Sequence, residues 1–70
     1  MKLEWEAGFI IEAEIDQNSV IIKANSEGLV SLANHLLALA QAGVPHGYHL
    51  HLDDSNSLEP GSSEIILEKM

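Results

Sequence analysis

Asn25-Ser26-Glu27-Gly28-Leu29-Val30-Ser31-Leu32-Ala33-Asn34-His35-Leu36-Leu37-Ala38-Leu39-Ala40-Gln41-Ala42-Gly43-Val44-Pro45 is the stretch whose reading decides the fold. Leu29, Leu32, Ala33, Leu36, Leu37 and Ala40 recur at helical spacing, which marks an amphipathic helix. Asn25 or Ser26 can cap it, because a short polar side chain accepts a hydrogen bond from an otherwise orphaned first-turn N–H. Glu27 falls in the first turn, where the macrodipole favours a carboxylate. Gly43 ends the run and Pro45 prevents its resumption. The spacing therefore predicts a helix over 26–42, spanning roughly 25 Å. Its expected inward stripe is Leu29, Leu32, Ala33, Leu36 and Ala40. Ser31, Asn34, His35, Ala38, Gln41 and Ala42 are left on the outward side.

On both sides of this helix the period changes from 3.6 to two. Ile11, Ala13 and Ile15 alternate with Glu12 and Glu14, and Val20, Ile22 and Ala24 repeat the pattern. Asp16-Gln17-Asn18 is rich in turn formers, so the two runs predict a hairpin of strands near 10–15 and 19–24. Residues 1–9 are ambiguous: Leu3 and Trp5 alternate with Glu4 and Glu6, but Gly8 interrupts, suggesting a bulge or a separate short strand. Beyond the helix, Tyr48, Leu50 and Leu52 alternate with His49 and His51, predicting a strand near 47–53. Asp53 to Ser62 reads as a polar connection containing Pro60-Gly61, the favoured centre of a type II turn. A last strand near 63–68 turns Ile65 and Leu67 inward. The order ββαββ predicts a single α+β domain over residues 1–70, a two-layer sandwich with one helix on a mainly antiparallel four-stranded sheet.

Seventy residues bury only about 60% of the surface their unfolded chain exposes, so stability is thin and support is needed from outside the core. Disulfides cannot supply it, because there is no cysteine. A partner subunit can, and a homodimer is expected. The 11 acidic residues against 3 basic ones give a net charge of −8. Such a surface repels phosphate backbones, which excludes nucleic acid as a partner. It attracts a basic protein and accelerates the encounter. Solubility alone also accounts for surface charge. No apolar run reaches membrane-spanning length, and the first residues lack the basic and apolar regions of a secretion signal, so a soluble cytoplasmic protein is expected.

Three constellations could carry chemistry. His46, His49 and His51 precede Asp53 and Asp54, and two strand histidines on one face can present imidazoles to a metal. Alternating histidines are equally a polar outer face, and no third and fourth ligand is evident, so no metal or other cofactor is expected. Asp53-Asp54-Ser55-Asn56-Ser57-Leu58-Glu59 lacks the alternating oxygen ligands and the glycine of a calcium-binding EF-hand, and reads as turn chemistry. No nucleophile elbow or phosphate loop accompanies the serines and histidines, so no catalytic residue is assigned. The helix is more informative. Its outward residues carry no Lys, Glu or Arg, although solvent-facing helices normally do. Alanine favours helix and explains part of this. Cover by another molecule explains it as well.

Glu27-Gly28-Leu29, Ser31-Leu32-Ala33-Asn34-His35-Leu36-Leu37 and Leu39-Ala40-Gln41 carry a resemblance, as do Gly47, His49-Leu50-His51-Leu52-Asp53, Asn56-Ser57-Leu58-Glu59, Gly61-Ser62 and Glu64. Together, over residues 25–68, they resemble the immunity protein 32 family of bacterial polymorphic toxin systems. Pro60 departs from the pattern within a turn. The resemblance implies a small non-enzymatic antidote that binds a cognate toxin, and it brings no assigned binding residues. The expected contact surface is therefore the uncharged helix side (Ser31, Asn34, His35, Ala38, Gln41 and Ala42) with the acidic loop (Asp53, Asp54 and Glu59). The rival readings are a histidine metal-binding protein and a homodimeric structural subunit.

Overall fold

The computed structural model describes residues 3–70. Its elements are β1 (Ile11–Asp16), β2 (Ser19–Ala24), α1 (Ser26–Leu39), β3 (His49–Leu52) and β4 (Ile65–Glu68). The order ββαββ is the expected one. β1 and β2 pair antiparallel, with Ile11 opposite Ala24, Ala13 opposite Ile22 and Ile15 opposite Val20. Gln17 and Asn18 join them with φ of 49° and 69°, as a two-residue type I′ turn requires. β3 and β4 pair antiparallel too, placing Leu50 opposite Leu67 and Leu52 opposite Ile65. Of the ambiguous segment 1–9, residues 1 and 2 lie outside the described residues, and residues 3–9 form no strand. They turn at Ala7-Gly8, with Gly8 at φ +81°, and the Phe9 N–H donates to Glu6 O.

The expected four-stranded sheet is not formed, because the strands make two separate two-stranded sheets. What joins them is irregular. The free edge of β1 is met by the chain that leads into β4: Glu59 N–H donates to Ile11 O at 2.9 Å and Ser63 N–H to Ala13 O at 2.8 Å. Ser62 Oγ accepts from Ala13 N–H at 3.2 Å. Between these bonds the chain loops out through Pro60-Gly61, closed by Ser62 N–H to Glu59 O, so no regular ladder can continue. Proline contributes no N–H to a ladder in any case. Gly61 sits at φ +85°, the position that a type II turn reserves for glycine.

The core lies between the two sheets and the helix. Ile11, Ala13, Leu52 and Leu58 are buried together, with Phe9, Ala24, Leu32, Ile65 and Leu67 packed around them. Leu58 belongs to the connection that composition marks as polar, and it is as buried as the strand residues. The loop places it there through its own turn chemistry. Asp53 O accepts from the N–H groups of Asn56, Ser57 and Leu58, while Asp53 Oδ1 accepts from Ser55.

The helix begins where expected, with Asn25 as its cap. Asn25 Oδ1 accepts from Gly28 N–H at 2.8 Å and Ile10 N–H at 3.0 Å, and Nδ2 donates to Gly8 O. One side chain thus starts the helix and ties it to the N-terminal segment. The helix stops at Leu39, three residues short of the expected end. Gln41 N–H turns back to Ala38 O, and Lys69 Nζ donates to the carbonyls of Leu39 and Gln41. The last carbonyls are satisfied without further helix.

Candidate protein-binding surfaces

The helix is turned by about a third of a turn from the sequence expectation, so that of the expected inward stripe only Leu32 still packs on the core. Its buried residues are Gly28, Ser31, His35 and Leu39. Ser31 and His35 were expected outside, and both are 0% exposed. They cannot contact a partner. Asn34 and Ala38 are half-buried, and only Gln41 and Ala42 of the expected helix surface are exposed. Leu29, Val30, Leu36 and Leu37 are instead 55, 44, 52 and 65% exposed.

The cause is steric and polar together. Gly28 has no side chain, and a Cβ built there would lie 2.4 Å from Ile10 O. Only glycine allows the first turn to approach β1 so closely. One turn on, Ser31 Oγ accepts from Glu6 N–H and donates to Glu27 O, both at 2.8 Å. A further turn on, His35 Nδ1–H donates to Ser31 O, and its ring lies 4.1 Å from that of Trp5. Trp5 in turn stacks on Phe9 at 4.5 Å. His35 Nε2 is buried with no hydrogen-bond partner among the described residues. The small and polar side of the helix is therefore clamped onto residues 5–11, and Leu29, Val30, Leu36 and Leu37 are left largely to solvent.

A second surface follows the join between the sheets. Ile15 and Val20 extend the apolar side of the first hairpin beyond the core and are exposed. With Ala13, Ser63, Ile65 and Ile66 they line an open cleft of about 200 Å³, edged by Glu14 and Glu64. A neighbouring groove of about 100 Å³ runs from Glu12 and Glu14 to Pro60, Gly61 and Ser62. The acidic loop borders it, since Asp54 Oδ2 accepts from Gly61 N–H at 3.4 Å. Glu12, Glu14, Asp54 and Glu64 thus lie along one join. Its cations are Lys23, 3.6 Å from Glu14, and potentially His51, 3.1 Å from Glu64. An apolar patch with a charged margin has the anatomy of a protein interface.

The three loop carboxylates expected to act together have different tasks. Hydrogen bonds from the Ser55 hydroxyl and backbone N–H, with a smaller share from the Asn56 N–H and the nearby His51, hold the Asp53 carboxyl below its ordinary range. Asp53 therefore organises the loop. Asp54 is exposed and accepts from Gly61 N–H at the groove's edge, and Glu59 is half-buried where its backbone meets β1.

His49 and His51 share the outer face of β3, as expected, with rings 4.9 Å apart. Their Nδ1 atoms are engaged by Gly47 O and Glu64 Oε2, and His46 lies outside the strand. Among the described residues no group of three or more His, Asp or Glu side chains comes together to hold a metal ion. No helix among them is long and apolar enough to cross a membrane.

A family model described as Immunity protein 32 matches residues 19–70. No curated protein and no solved structure matches the chain. The match takes in β2, the helix and the second hairpin with its acidic loop.

Proposed function

Since the chain belongs to the immunity protein 32 family, we propose that it is a non-enzymatic antidote that neutralises a cognate bacterial toxin by direct protein–protein contact. Family membership carries this reading. The structure supports it with an open apolar cleft at Ile15, Val20 and Ile66, beside the acidic join of Glu12, Glu14, Asp54 and Glu64. A basic toxin surface complements this arrangement: apolar contact supplies burial, and the carboxylates supply attraction and register. With a net charge of −8, the field acts mainly on the rate of encounter.

The test uses the product of the adjacent reading frame as the candidate toxin. Co-expression should protect cells, and the purified pair should associate faster at low salt than at high salt. Glu12→Gln, Glu14→Gln and Asp54→Asn together should lower the on-rate about tenfold or more and flatten its salt dependence. Val20→Lys, in the exposed cleft, should raise the off-rate. Failure to protect cells would end the immunity reading. Protection with unchanged rates in both variants would move the contact away from this surface.

A further inference from the structure

We propose that the exposed leucine face of α1 is the interface between two copies of this chain, crossed antiparallel about a twofold axis. The inference does not rest on the immunity reading. Its starting point is an imbalance. Leu29, Val30, Leu36 and Leu37 stand about half exposed on one helix, whereas Leu39 is the only large apolar side chain that the helix buries fully. The molecule exposes 4801 Å² of surface. A monomer of 7.6 kDa is expected to expose roughly 4300 Å². The excess, about 500 Å², is shared among all the exposed apolar side chains, Ile15, Val20 and Met70 included, and the helix face holds four of them in one contiguous patch.

The pattern on the face identifies the occupant. Leu29, Ala33, Leu36 and Ala40 are spaced by four, three and four residues, the recurrence of a helix–helix seam. Large and small residues alternate along it. A twofold axis between Asn34 and His35 places Leu29 opposite Ala40 of the second copy, and Ala33 opposite Leu36. Every leucine then meets an alanine, and the helix axes can approach closely. Parallel pairing would set leucine on leucine and leave gaps at the alanines. The face is complementary to itself in one orientation only, which is what a closed twofold interface requires. Val30 and Leu37 flank the seam and add apolar cover.

Two features fit the same arrangement. Beside Ala40 lies a cleft of about 190 Å³ lined by Leu36, Leu39, Ala40, Glu68, Lys69 and Met70, where Leu29 of the second copy would seat. The only charged residue within Ser26–Leu39 is Glu27, which lies well off the seam by helical spacing. Each copy carries −8, and the seam residues themselves hold no carboxylate, while Glu68 borders only the Ala40 end, beside Lys69. Antiparallel crossing also opposes the two macrodipoles.

The experiment is sedimentation velocity on the full chain, with a crosslinking arm. The wild type should be a concentration-dependent dimer, and Ala33→Arg should be monomeric with its helix signal intact. Ala33 is exposed, so the substitution leaves the core alone. The chain has no cysteine, so single replacements report cleanly. Leu29→Cys mixed with Ala40→Cys should give a disulfide-linked pair under mild oxidation, while neither variant should crosslink with itself. Positions 29 and 40 lie about 16 Å apart along a helix, which separates the antiparallel from the parallel register. A wild type that stays monomeric at millimolar concentration overturns the proposal, and loss of toxin neutralisation in Ala33→Arg would then give the face to the toxin. A dimer unaffected by Ala33→Arg, or self-crosslinking of Leu29→Cys, overturns it as well.

Discussion

Gly28→Ala separates the observed helix orientation from the one that hydrophobic periodicity implies, because the two predict opposite signs. If Leu29 and Leu36 faced the core, residue 28 would be an ordinary helical position, and alanine would stabilise the chain by about 0.8–1 kcal/mol. In the structure the added Cβ falls 2.4 Å from Ile10 O and 3.0 Å from both Ala24 Cβ and Ile11 Cγ1. The nearest obstacle is backbone, and Ile10 O is held by the Asn25 N–H, so it cannot swing aside. The helix must retreat by about 1 Å to restore ordinary contact. That retreat strains the 2.8 Å bonds at Gly28 N–H and Ser31 Oγ and loosens His35 against Trp5. Overpacking of this kind costs about 1–3 kcal/mol. A 2.4 Å approach to fixed backbone falls in the upper part of that range, about 2–3 kcal/mol, so after the helical gain is subtracted a net loss of about 1–2 kcal/mol remains. For a chain of this size that lowers Tm by roughly 4–16 °C. Thermal melts followed by circular dichroism, at matched protein concentration, measure it directly. An unchanged or higher Tm would refute the docking through Gly28 and return the leucine face to the core.

Two further predictions concern the turns. Replacing Gln17-Asn18 by Asn-Gly should raise stability by about 1 kcal/mol, because both positions adopt positive φ and Gln17 gains nothing from doing so; a lower Tm would show that the turn is not type I′. The Asp53 carboxyl should titrate below 3.8 in the folded chain when followed by NMR, owing first to the Ser55 hydroxyl. A folded value below the unfolded one means that its contribution is complete above the ordinary carboxylate range and is lost as pH falls through the depressed value. Ser55→Ala should move the titration back up, and an unchanged value would assign the depression to another group.

Much of the fold is legible in the residues because local rules and tertiary structure agree. The period-two runs, the turn at Gln17-Asn18, the cap at Asn25 and the type II turn at Pro60-Gly61 all follow from backbone chemistry within a few residues. The helix orientation does not. Gly28, Ser31, His35 and Leu39 form a stripe as regular as the leucines, but a hydrophobicity criterion ranks it second. Close approach selects for small side chains and satisfied polar atoms, and neither scores as apolar. One signal was available: a glycine inside a helical pattern is costly, and its presence points to tight packing. The split sheet depends on contacts between β1 and residues 59–63, some fifty positions apart, and no local period encodes them. Leu58 was hidden for the same reason, as a lone apolar residue in a polar loop.

The turned helix also bears on what a partner would add to the chain. Turning the leucine face inward would bury the exposed half of side chains whose full burial is worth about 1.5–3 kcal/mol each. The observed packing forgoes that and buries Ser31 and His35, whose polar atoms are matched by backbone groups of Glu6, Glu27 and Ser31, save His35 Nε2, which has no partner among the described residues. Such an arrangement is costly for an isolated domain with a core of a few buried apolar residues. It becomes favourable when the leucine face is also buried, against a second copy. The hairpin cleft at Ile15, Val20 and Ile66 includes no helix residue, so it stays open in that arrangement. Self-association through the helix and toxin binding through the acidic join then use separate surfaces, and the first supplies stability that the second can draw on.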